Sequence, residues 1–381
     1  MTNSHPSRVL IDLDAYRSNL ELVVRLAGGN AALIPVIKAN AYGHGLAPVA
    51  RAAAAAGAHM LGVACAHEGV RLREAGITTP ILVLSAPARD ALDLFIEHQL
   101  TLMATDLALA DAMGALAHAA NRVAPVHCKV DTGMGRQGLS LDEALESIQY
   151  IARITHIDVQ GICTHFPSAD VPDDEFTYGQ IKAFKQLKKQ VDKLGIPYEL
   201  AHAANSAGVV NYRESVFDAV RPGLITYGIW PTEAGTNQTL LKRVLRWETT
   251  VVQVRTLKPG APIGYRRTYT CPGPTRTAVL PVGYADGYKY QLSNKAEVLI
   301  HGRRCPVRGA VSMDQIIVDV SKVPDVVCGT VATLIGEDGD EVITVEELAM
   351  CAGTIPYDIL TGIGQRVHRV YIGDERIETA P

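Results

Sequence analysis

The stretch LIPVIKANAYGHG, residues 33–45, contains a short apolar run that ends at a single lysine, Lys38. Small residues, Tyr42 and two glycines follow this lysine. A short apolar run bounded by turn residues is typical of a parallel strand that helices cover. The next segment, PVARAAAAAG (48–57), has the composition of a helix. The stretch therefore predicts a strand followed by a helix.

This strand–helix unit recurs about eight times before residue 223, which predicts a parallel sheet within an α/β fold. The count favours a closed (β/α)8 barrel of the TIM type, although an open doubly wound sheet gives a similar pattern. The other candidate strands are MLGVAC (60–65), ILVL (81–84), LTLMA (100–104), APVHCKVD (124–131), HIDVQGICTHF (156–166), YELAHAA (198–204) and AVRPG (219–223).

The pattern changes after about residue 240, where strands follow one another without long helices between them. Segments such as WETTVVQVRTL (247–257), TAVLPVG (277–283) and QIIVDV (315–320) are rich in Val, Thr and Ile. They predict a mostly β C-terminal domain at 239–381, after a barrel at 13–238. The segment PTEAGTNQT (231–239) is the predicted linker. Residues 1–12 are predicted to contribute a further strand, in the segment VLIDL (9–13), which we expect to pair with the β domain.

Composition and charge exclude several classes of protein. The 381 residues are 48% hydrophobic and 20% charged, and the net charge is −4, which does not favour nucleic acid or an anionic membrane. No apolar run approaches the roughly 20 residues of a spanning helix, and the N-terminus does not resemble a signal peptide. The seven cysteines show no CxxC or Cys/His cluster. We therefore expect a cytoplasmic protein without a metal site.

Polar residues fall where the predicted barrel strands end, which is where barrels of this kind place their chemistry. They collect on one arc of the rim, because strands two, three and four end mainly in small or apolar residues. The polar positions are Lys38 after strand one, Lys129, Asp131 and Arg136 on and after strand five, His165 on strand six, Asn205 and Ser206 after strand seven, and Arg221 on strand eight.

Lys38 has two interpretations. It is either a lysine whose stem packs and whose amine reaches solvent, or an amine whose pKa is lowered by burial and nearby cations. The second kind of lysine forms a Schiff base with a carbonyl, and pyridoxal 5'-phosphate (PLP) is the most common aldehyde cofactor. The loops NSAG (205–208) and RPGLITYG (221–228) follow strands seven and eight, where barrels commonly bind phosphate. By contrast, GMGRQG (133–138) follows the fifth strand, a position that disfavours a dinucleotide site.

Several motifs resemble those of alanine racemases, in the same order and along nearly the whole chain. They are VIKANAYGHG (36–45), KVDTGMGRQG (129–138), GICTHF (161–166), HAANSAG (202–208), RPGLITYG (221–228), GYRRTYT (264–270), PVGYADGY (281–288), GAVSMDQ (309–315) and IPYDILTGIGQRVHR (355–369). The resemblance implies a PLP-binding (β/α)8 barrel followed by a β domain, and a homodimer with shared active sites.

The resemblance also implies a role for each candidate residue. Lys38 would bind PLP covalently and act as one acid–base group, and Tyr265 of the second subunit would act as the other. Arg221 would bond the pyridine nitrogen, and Lys129 would be carbamylated. Arg136 would contact the PLP phenolic oxygen and also bind the substrate, together with Met313 of the second subunit. The phosphate ligands would be Tyr42, Ser206, Tyr357 and the backbone of Gly223 and Leu224.

Chemical reasoning supports these roles. Inverting an α-carbon requires a proton to leave one face and return to the other, which two bases on opposite faces achieve. His165 is placed to bond Tyr265, and an arginine at the pyridine nitrogen suits a racemase better than a decarboxylase, because arginine does not give up its proton. The residues after the tyrosine, Arg266 and Arg267, depart from the smaller residue expected there.

The sequence thus predicts a racemase that interconverts L-alanine and D-alanine, to supply D-alanine for peptidoglycan or for alanine catabolism. The alternatives are a broader amino-acid racemase on the same scaffold, a PLP decarboxylase, which Arg221 disfavours, and a non-catalytic PLP carrier. Carriers of that type lack a second domain, so residues 240–381 count against the last alternative.

Overall fold

The computed structural model describes residues 6–232 and 240–373. These residues form two compact units. The barrel unit comprises Ala15–Ala41, 46–232 and 240–242, and the β unit comprises 6–14, Tyr42–Gly45 and 243–373. Most of the predicted linker, 233–239, and the predicted boundary after residue 238 lie outside the described residues, so that boundary stays a prediction.

Eight parallel strands form the barrel unit, which confirms the predicted (β/α)8 fold. In hydrogen-bonded order the first strand is followed by the eighth, seventh, sixth, fifth, fourth, third and second. A ninth, two-residue strand, Leu139–Ser140, pairs with the fifth. The eight strands are Ala32–Leu33, Leu61–Val63, Ile81–Val83, Thr101–Ala104, Ala124–Asp131, Ile157–Cys163, Leu200–His202 and Ala219–Val220.

The ring closes between the first two strands of the sequence. Val36 forms a parallel bridge with Gly62. Around it, the Ile37 N–H donates to the Gly62 carbonyl at 2.8 Å, and the Gly62 N–H donates to the Pro35 carbonyl at 2.9 Å. The first strand therefore pairs with the eighth on one side and with the second on the other, which distinguishes a closed barrel from an open sheet.

Helices alternate with these strands, as expected for parallel crossovers. The longest, Glu175–Lys193, begins after Asp174, whose carboxylate accepts from the N–H groups of Phe176 and Thr177. Its buried face includes Ile181 and Phe184. The α-helices of this unit are Leu13–Leu26, which begins in the β unit, Leu46–Ala55, Ala66–Glu74, Asp93–Glu97, Leu107–Ala119, Ala144–Ile151, Glu175–Lys193 and Ser206–Asn211.

The β unit contains a sheet in which the N-terminal strand Arg8–Asp12 lies between the first and the last strand of the C-terminal part of the chain. It pairs antiparallel with Leu245–Thr250 and parallel with His368–Ile372. Two helices, Val345–Ala352 and Pro356–Gly362, belong to this unit. Its other strands are Gln253–Leu257, Pro262–Ile263, Tyr269–Thr270, Thr275–Leu280, Glu297–Ile300, Arg303–Pro306, Ile316–Asp319, Val331–Asp338 and Glu341–Ile343. The predicted mostly β composition is confirmed.

One local prediction was wrong. The strand predicted to run up to Lys38 is interrupted, because the strand proper covers Ala32–Leu33, a single bridge follows at Val36, and a left-handed turn begins after the lysine. The helix Asp93–Glu97 is preceded by a 3-10 turn at Arg89–Ala91. In the described parts of the chain, no helix combines the length and apolar character needed to cross a membrane.

Candidate active site

The backbone that follows Lys38 has an unusual conformation. Ala39, Asn40 and Ala41 have φ values of 54°, 55° and 53°, in the left-handed region, although none of them is glycine. Such residues cost roughly 1–2 kcal/mol each. Two hydrogen bonds hold the turn: the Ala41 N–H donates to the Ile37 carbonyl at 2.8 Å, and the Leu46 N–H donates to the Asn40 side chain at 2.9 Å. The surrounding structure therefore enforces this strained turn next to the lysine.

The amine of Lys38 has a lowered pKa. Burial is the largest cause, and the positive charge of Arg136 adds to it, while the carboxylate of Glu68 opposes both. A lower pKa leaves more of the amine neutral near pH 7 than in an exposed lysine. Only the neutral amine attacks a carbonyl, so this environment suits Schiff-base chemistry.

Arg221 is buried and donates to several acceptors at the ends of neighbouring strands. Nη1 donates to the His202 carbonyl at 3.0 Å and to Nδ1 of the His202 ring. The two N–H groups of Nη2 are shared among three acceptors: the carbonyls of Thr164 at 2.7 Å and Ala203 at 2.9 Å, and Nδ1 of His165 at 3.2 Å. Within the described chain, its Nε–H meets no acceptor, so one donor remains for a ligand.

His165 is surrounded by positive charge. Its pKa lies well below the ordinary value because of burial first, and then because of Arg221, Lys129, Arg136 and Lys38. The ring is therefore neutral at pH 7. Since arginine can only donate, Nδ1 of His165 accepts the bond and the ring proton sits on Nε2.

Lys129 is another buried amine near this group. Burial lowers its pKa, as do Arg136 and Arg221, while Cys163 and Asp131 act in the opposite direction. Lys129 makes no ion pair with Asp131 or any other described carboxylate, which argues against a purely structural pair. Asp131 instead accepts backbone bonds from Gly133 at 2.9 Å and Met134 at 2.8 Å.

The loops after the seventh and eighth strands are joined by a serine. The Ser206 hydroxyl oxygen accepts from the N–H groups of Gly223 at 2.8 Å and Ile225 at 3.4 Å. Leu224 begins a short 3-10 helix between these two donors. The hydroxyl hydrogen of Ser206 is therefore available to donate to a further acceptor, such as a phosphate oxygen.

The remaining candidates belong to the β unit. The rings of Tyr42 and Tyr357 lie together, with centroids 5.8 Å apart. Tyr265 is 73% exposed and Met313 is 53% exposed, although the backbone of Met313 is held by a bond from the Ala285 N–H at 3.0 Å. The structure thus gathers two predicted phosphate ligands and leaves the two residues predicted to serve a second subunit at the surface.

Comparisons with known proteins match nearly the whole chain. The family model for the N-terminal domain of alanine racemase matches residues 11–231, and that for the C-terminal domain matches 244–371. The chain belongs to the alanine racemase family. An alanine racemase from Halothermothrix orenii is 41% identical over 368 residues, 97% of each chain. One from Symbiobacterium thermophilum is 42% identical over 369 residues, 97% of this chain and 98% of the other.

Solved structures of alanine racemases show the same fold. The alanine racemase of Clostridium difficile 630 superposes with a TM-score of 0.93 at 33% identity, covering 97% of this chain and 96% of that one. The alanine racemase of Bartonella henselae, solved with covalently bound pyridoxal phosphate, gives a TM-score of 0.87 at 29% identity and covers 96% and 99%. Alanine racemases are PLP-dependent isomerases, so the family's cofactor is PLP.

The side chains of this alanine racemase family member fit PLP. The site contains an amine with a lowered pKa on Lys38, an Nε–H on Arg221 that has no acceptor among the described residues, and the hydroxyl of Ser206. Lys38, Lys129, Arg136 and Arg221 surround His165, a charge balance that suits an anionic phosphate and phenolate. Among the described residues, no cluster of three or more His, Cys, Asp or Glu side chains could hold a metal ion.

Sequence reasoning missed two buried histidines behind Arg221. His202 lies at the end of the seventh strand, and its Nε2 is 2.7 Å from Nδ1 of His127 on the fifth strand. A Cβ on Gly161 would lie 2.5 Å from that Nδ1, so only glycine leaves room for the ring. A buried arginine needs several hydrogen-bond acceptors. The signal for His202 in the sequence was therefore its place on the strand next to that of Arg221.

Arg221 fixes the tautomers of both histidines. Because Nδ1 of His202 accepts from Arg221, the proton of the neutral ring sits on Nε2 and is donated to Nδ1 of His127. His127 must then carry its own proton on Nε2, which is buried and has no partner in the described chain. Burial and the charge of Arg221 lower the pKa of His127 to about 3 and place that of His202 well below 6.5.

We therefore expect ¹⁵N NMR to show an unprotonated Nδ1 and a protonated Nε2 in both His127 and His202, with neither ring titrating as pH falls from about 8 to about 5. The unfolded chain gains these protons below the ordinary value of 6.5, so the free energy of unfolding should decrease as pH falls below it. His127→Asn and His202→Asn variants assign the signals. A proton on Nδ1 of either ring, or titration above pH 5, would contradict the derivation.

Proposed function

We propose that this chain is an alanine racemase that interconverts L-alanine and D-alanine. The observation that supports it most is the combination of the half-buried Lys38, whose pKa is lowered, with the donor-only Arg221, in a chain that its alanine racemase relatives match over nearly its full length. A decarboxylase is expected to place a carboxylate where Arg221 stands.

When bound, PLP supplies the electron sink that makes the α-hydrogen of an amino acid acidic. Lys38 would hold it covalently and then exchange a proton with the α-carbon on one face, which its lowered pKa permits at neutral pH. Arg221 would direct its Nε–H at the pyridine nitrogen. Because Arg221 does not release a proton, that nitrogen would stay unprotonated, which limits side reactions such as transamination.

Tyr265 of the partner subunit would exchange the proton on the opposite face. His165 is neutral with its proton on Nε2, so it can donate to the phenolic oxygen of that tyrosine and stabilise negative charge there. Arg221, which donates to Nδ1, fixes this direction. Lys38 and Tyr265 are thus the two bases, and His165 and Arg221 position and polarise them.

The other candidates would bind the anionic groups. Arg136 would contact the phenolic oxygen and the substrate carboxylate, and Met313 of the partner subunit would also bind that carboxylate. The paired rings of Tyr42 and Tyr357 and the bonded loops of Ser206 and Gly223 support a phosphate site. The phosphate ligands would be Tyr42, Ser206, Tyr357 and the backbone of Gly223 and Leu224.

The assignment is tested by incubating the holoenzyme with L-alanine in D₂O and following chirality and α-deuterium. Deuterated D-alanine is the expected product, because the proton is exchanged with solvent-equilibrated bases. Parallel incubations with L-serine and L-lysine measure the broader racemase activity that is the alternative. Arg266 and Arg267, which follow Tyr265, are the departure from the family pattern that bears on substrate preference. Carbon dioxide release, or no exchange with any amino acid, would overturn the proposal.

We further propose a homodimer with shared active sites, supported by the exposure of Tyr265 and Met313. Mixing the inactive variants Lys38→Ala and Tyr265→Phe under conditions of subunit exchange should restore activity. Half the dimers would be mixed and each would have one intact site, so recovery approaches about a quarter of wild-type activity. Each variant treated alone is the control. If mixed dimers form by native mass spectrometry and stay inactive, both bases come from one subunit.

Carbamylation of Lys129 is also proposed, supported by its burial and lowered pKa. Its neutral amine would add to carbon dioxide, forming an N–C bond and releasing one proton to solvent, and the resulting anion would face Arg136. In ¹³C-bicarbonate we expect one carbamate signal in ¹³C NMR. The signal should vanish in Lys129→Ala and persist in Lys182→Ala, an exposed lysine. A signal that survives in Lys129→Ala would refute the assignment.

The cellular role that we propose is cytoplasmic supply of D-alanine for peptidoglycan, or alanine catabolism. All seven cysteines lie in the described residues and are free, which supports a reducing compartment.

A further inference from the structure

We infer that Glu68 is a positioning residue that holds Lys38 in place by connecting the ends of the first two barrel strands. This inference rests on the proposed function, because it concerns the lysine that would bind PLP. Glu68 belongs to the helix Ala66–Glu74, and none of the motifs in the sequence analysis includes it.

The two carboxylate oxygens of Glu68 bond different strand ends. Oε1 accepts from the N–H of Ala39, the residue directly after Lys38, at 2.6 Å. Oε2 accepts from the N–H of Ala64, the residue directly after the strand Leu61–Val63, at 2.8 Å. These are the strands that close the barrel through the bridge between Val36 and Gly62. Glu68 therefore connects the ends of the two strands that close the barrel, next to Lys38.

Glu68 does not act as an ordinary helix cap. A glutamate at the third helical position usually bonds the backbone of the capping residue. The capping residue here is Cys65, whereas Glu68 reaches past it to Ala64 and across to Ala39. Both oxygens thus accept hydrogen bonds from residues that follow Lys38 and the strand Leu61–Val63, and neither accepts one from the capping residue Cys65.

The bond to Ala39 also stabilises the strained turn. Ala39 is the first of the consecutive left-handed residues after Lys38. A charged acceptor bonding its N–H stabilises a conformation that alanine would otherwise leave. Without this bond, we expect the backbone at Lys38 to relax and the amine to be held less firmly.

The charge of Glu68 acts on the amine as well. The charged groups that act on Lys38 are Arg136, which disfavours its protonated form, and Glu68, which favours it; His165 is neutral. Removing the carboxylate charge should therefore lower the pKa of Lys38 further. A purely structural glutamate, distant from the amine, would have no such effect.

The first measurement uses the full-length holoenzyme. We compare Glu68→Gln and Glu68→Ala with Glu74→Gln, the matched change at an exposed position of the same helix. Glu68→Ala should release PLP at least about fivefold faster than the wild type, measured by cofactor absorbance, because a charge-assisted hydrogen bond that holds the backbone beside Lys38 is lost. Glu74→Gln should match the wild type.

The second measurement labels Lys38 with an acylating reagent in the full-length chain after PLP has been removed, and quantifies the labelled peptide by mass spectrometry across pH. At pH values below the pKa of Lys38, the lysine in Glu68→Gln should be labelled at least about twofold faster than in the wild type, because a larger fraction of its amine is neutral. Glu68→Gln retains shape and one acceptor, so it serves if Glu68→Ala does not fold. Thermal melting of each variant verifies folding.

Equal labelling profiles for Glu68→Gln, Glu74→Gln and wild type would overturn the inference, as would unchanged PLP release from folded Glu68→Ala. Labelling requires neither cofactor nor substrate. The outcome therefore stands apart from the D₂O experiment, and failure of the proposed racemase activity would be distinguishable from failure of the role of Glu68.

Discussion

Arg221 can only donate hydrogen bonds, and this constraint orders the polar groups at the carboxyl ends of the strands. Its buried guanidinium requires acceptors, which the carbonyls of Thr164, His202 and Ala203 provide. The rings of His165 and His202 must then accept on Nδ1. One arginine thereby sets the proton positions of three histidines, including His127 behind them, and keeps one N–H for a ligand.

The same arginine shapes the electrostatics of its neighbours. With Lys129, Arg136 and Lys38 it makes the environment of His165 strongly positive, and burial intensifies the effect. A concentration of cations in a partly buried site is costly unless an anionic ligand or modification balances it. The proposed cofactor and the proposed carbamate on Lys129 would each add such negative charge.

The barrel could be predicted because strand periodicity and helix alternation are local properties, and Lys38 and Arg221 became site candidates because each is a polar residue that ends an apolar run. The left-handed turn that begins at Ala39 was not predicted, since its four residues, 39–42, include no glycine. Sequence reasoning also missed His127 and Glu68. Their partners lie 75 residues away in one case and 29 in the other, and only the register of the closed barrel brings them together.

The environment of Lys38 thus combines three opposing effects. Burial and Arg136 lower the pKa of the amine, while Glu68 raises it and bonds the backbone beside the lysine. The left-handed turn costs free energy that the barrel closure must offset, since Glu68 connects that turn to the second strand. Barrel closure and amine reactivity are therefore coupled: a substitution that loosens the bridge at Gly62 should alter the chemistry of Lys38 without touching any ligand.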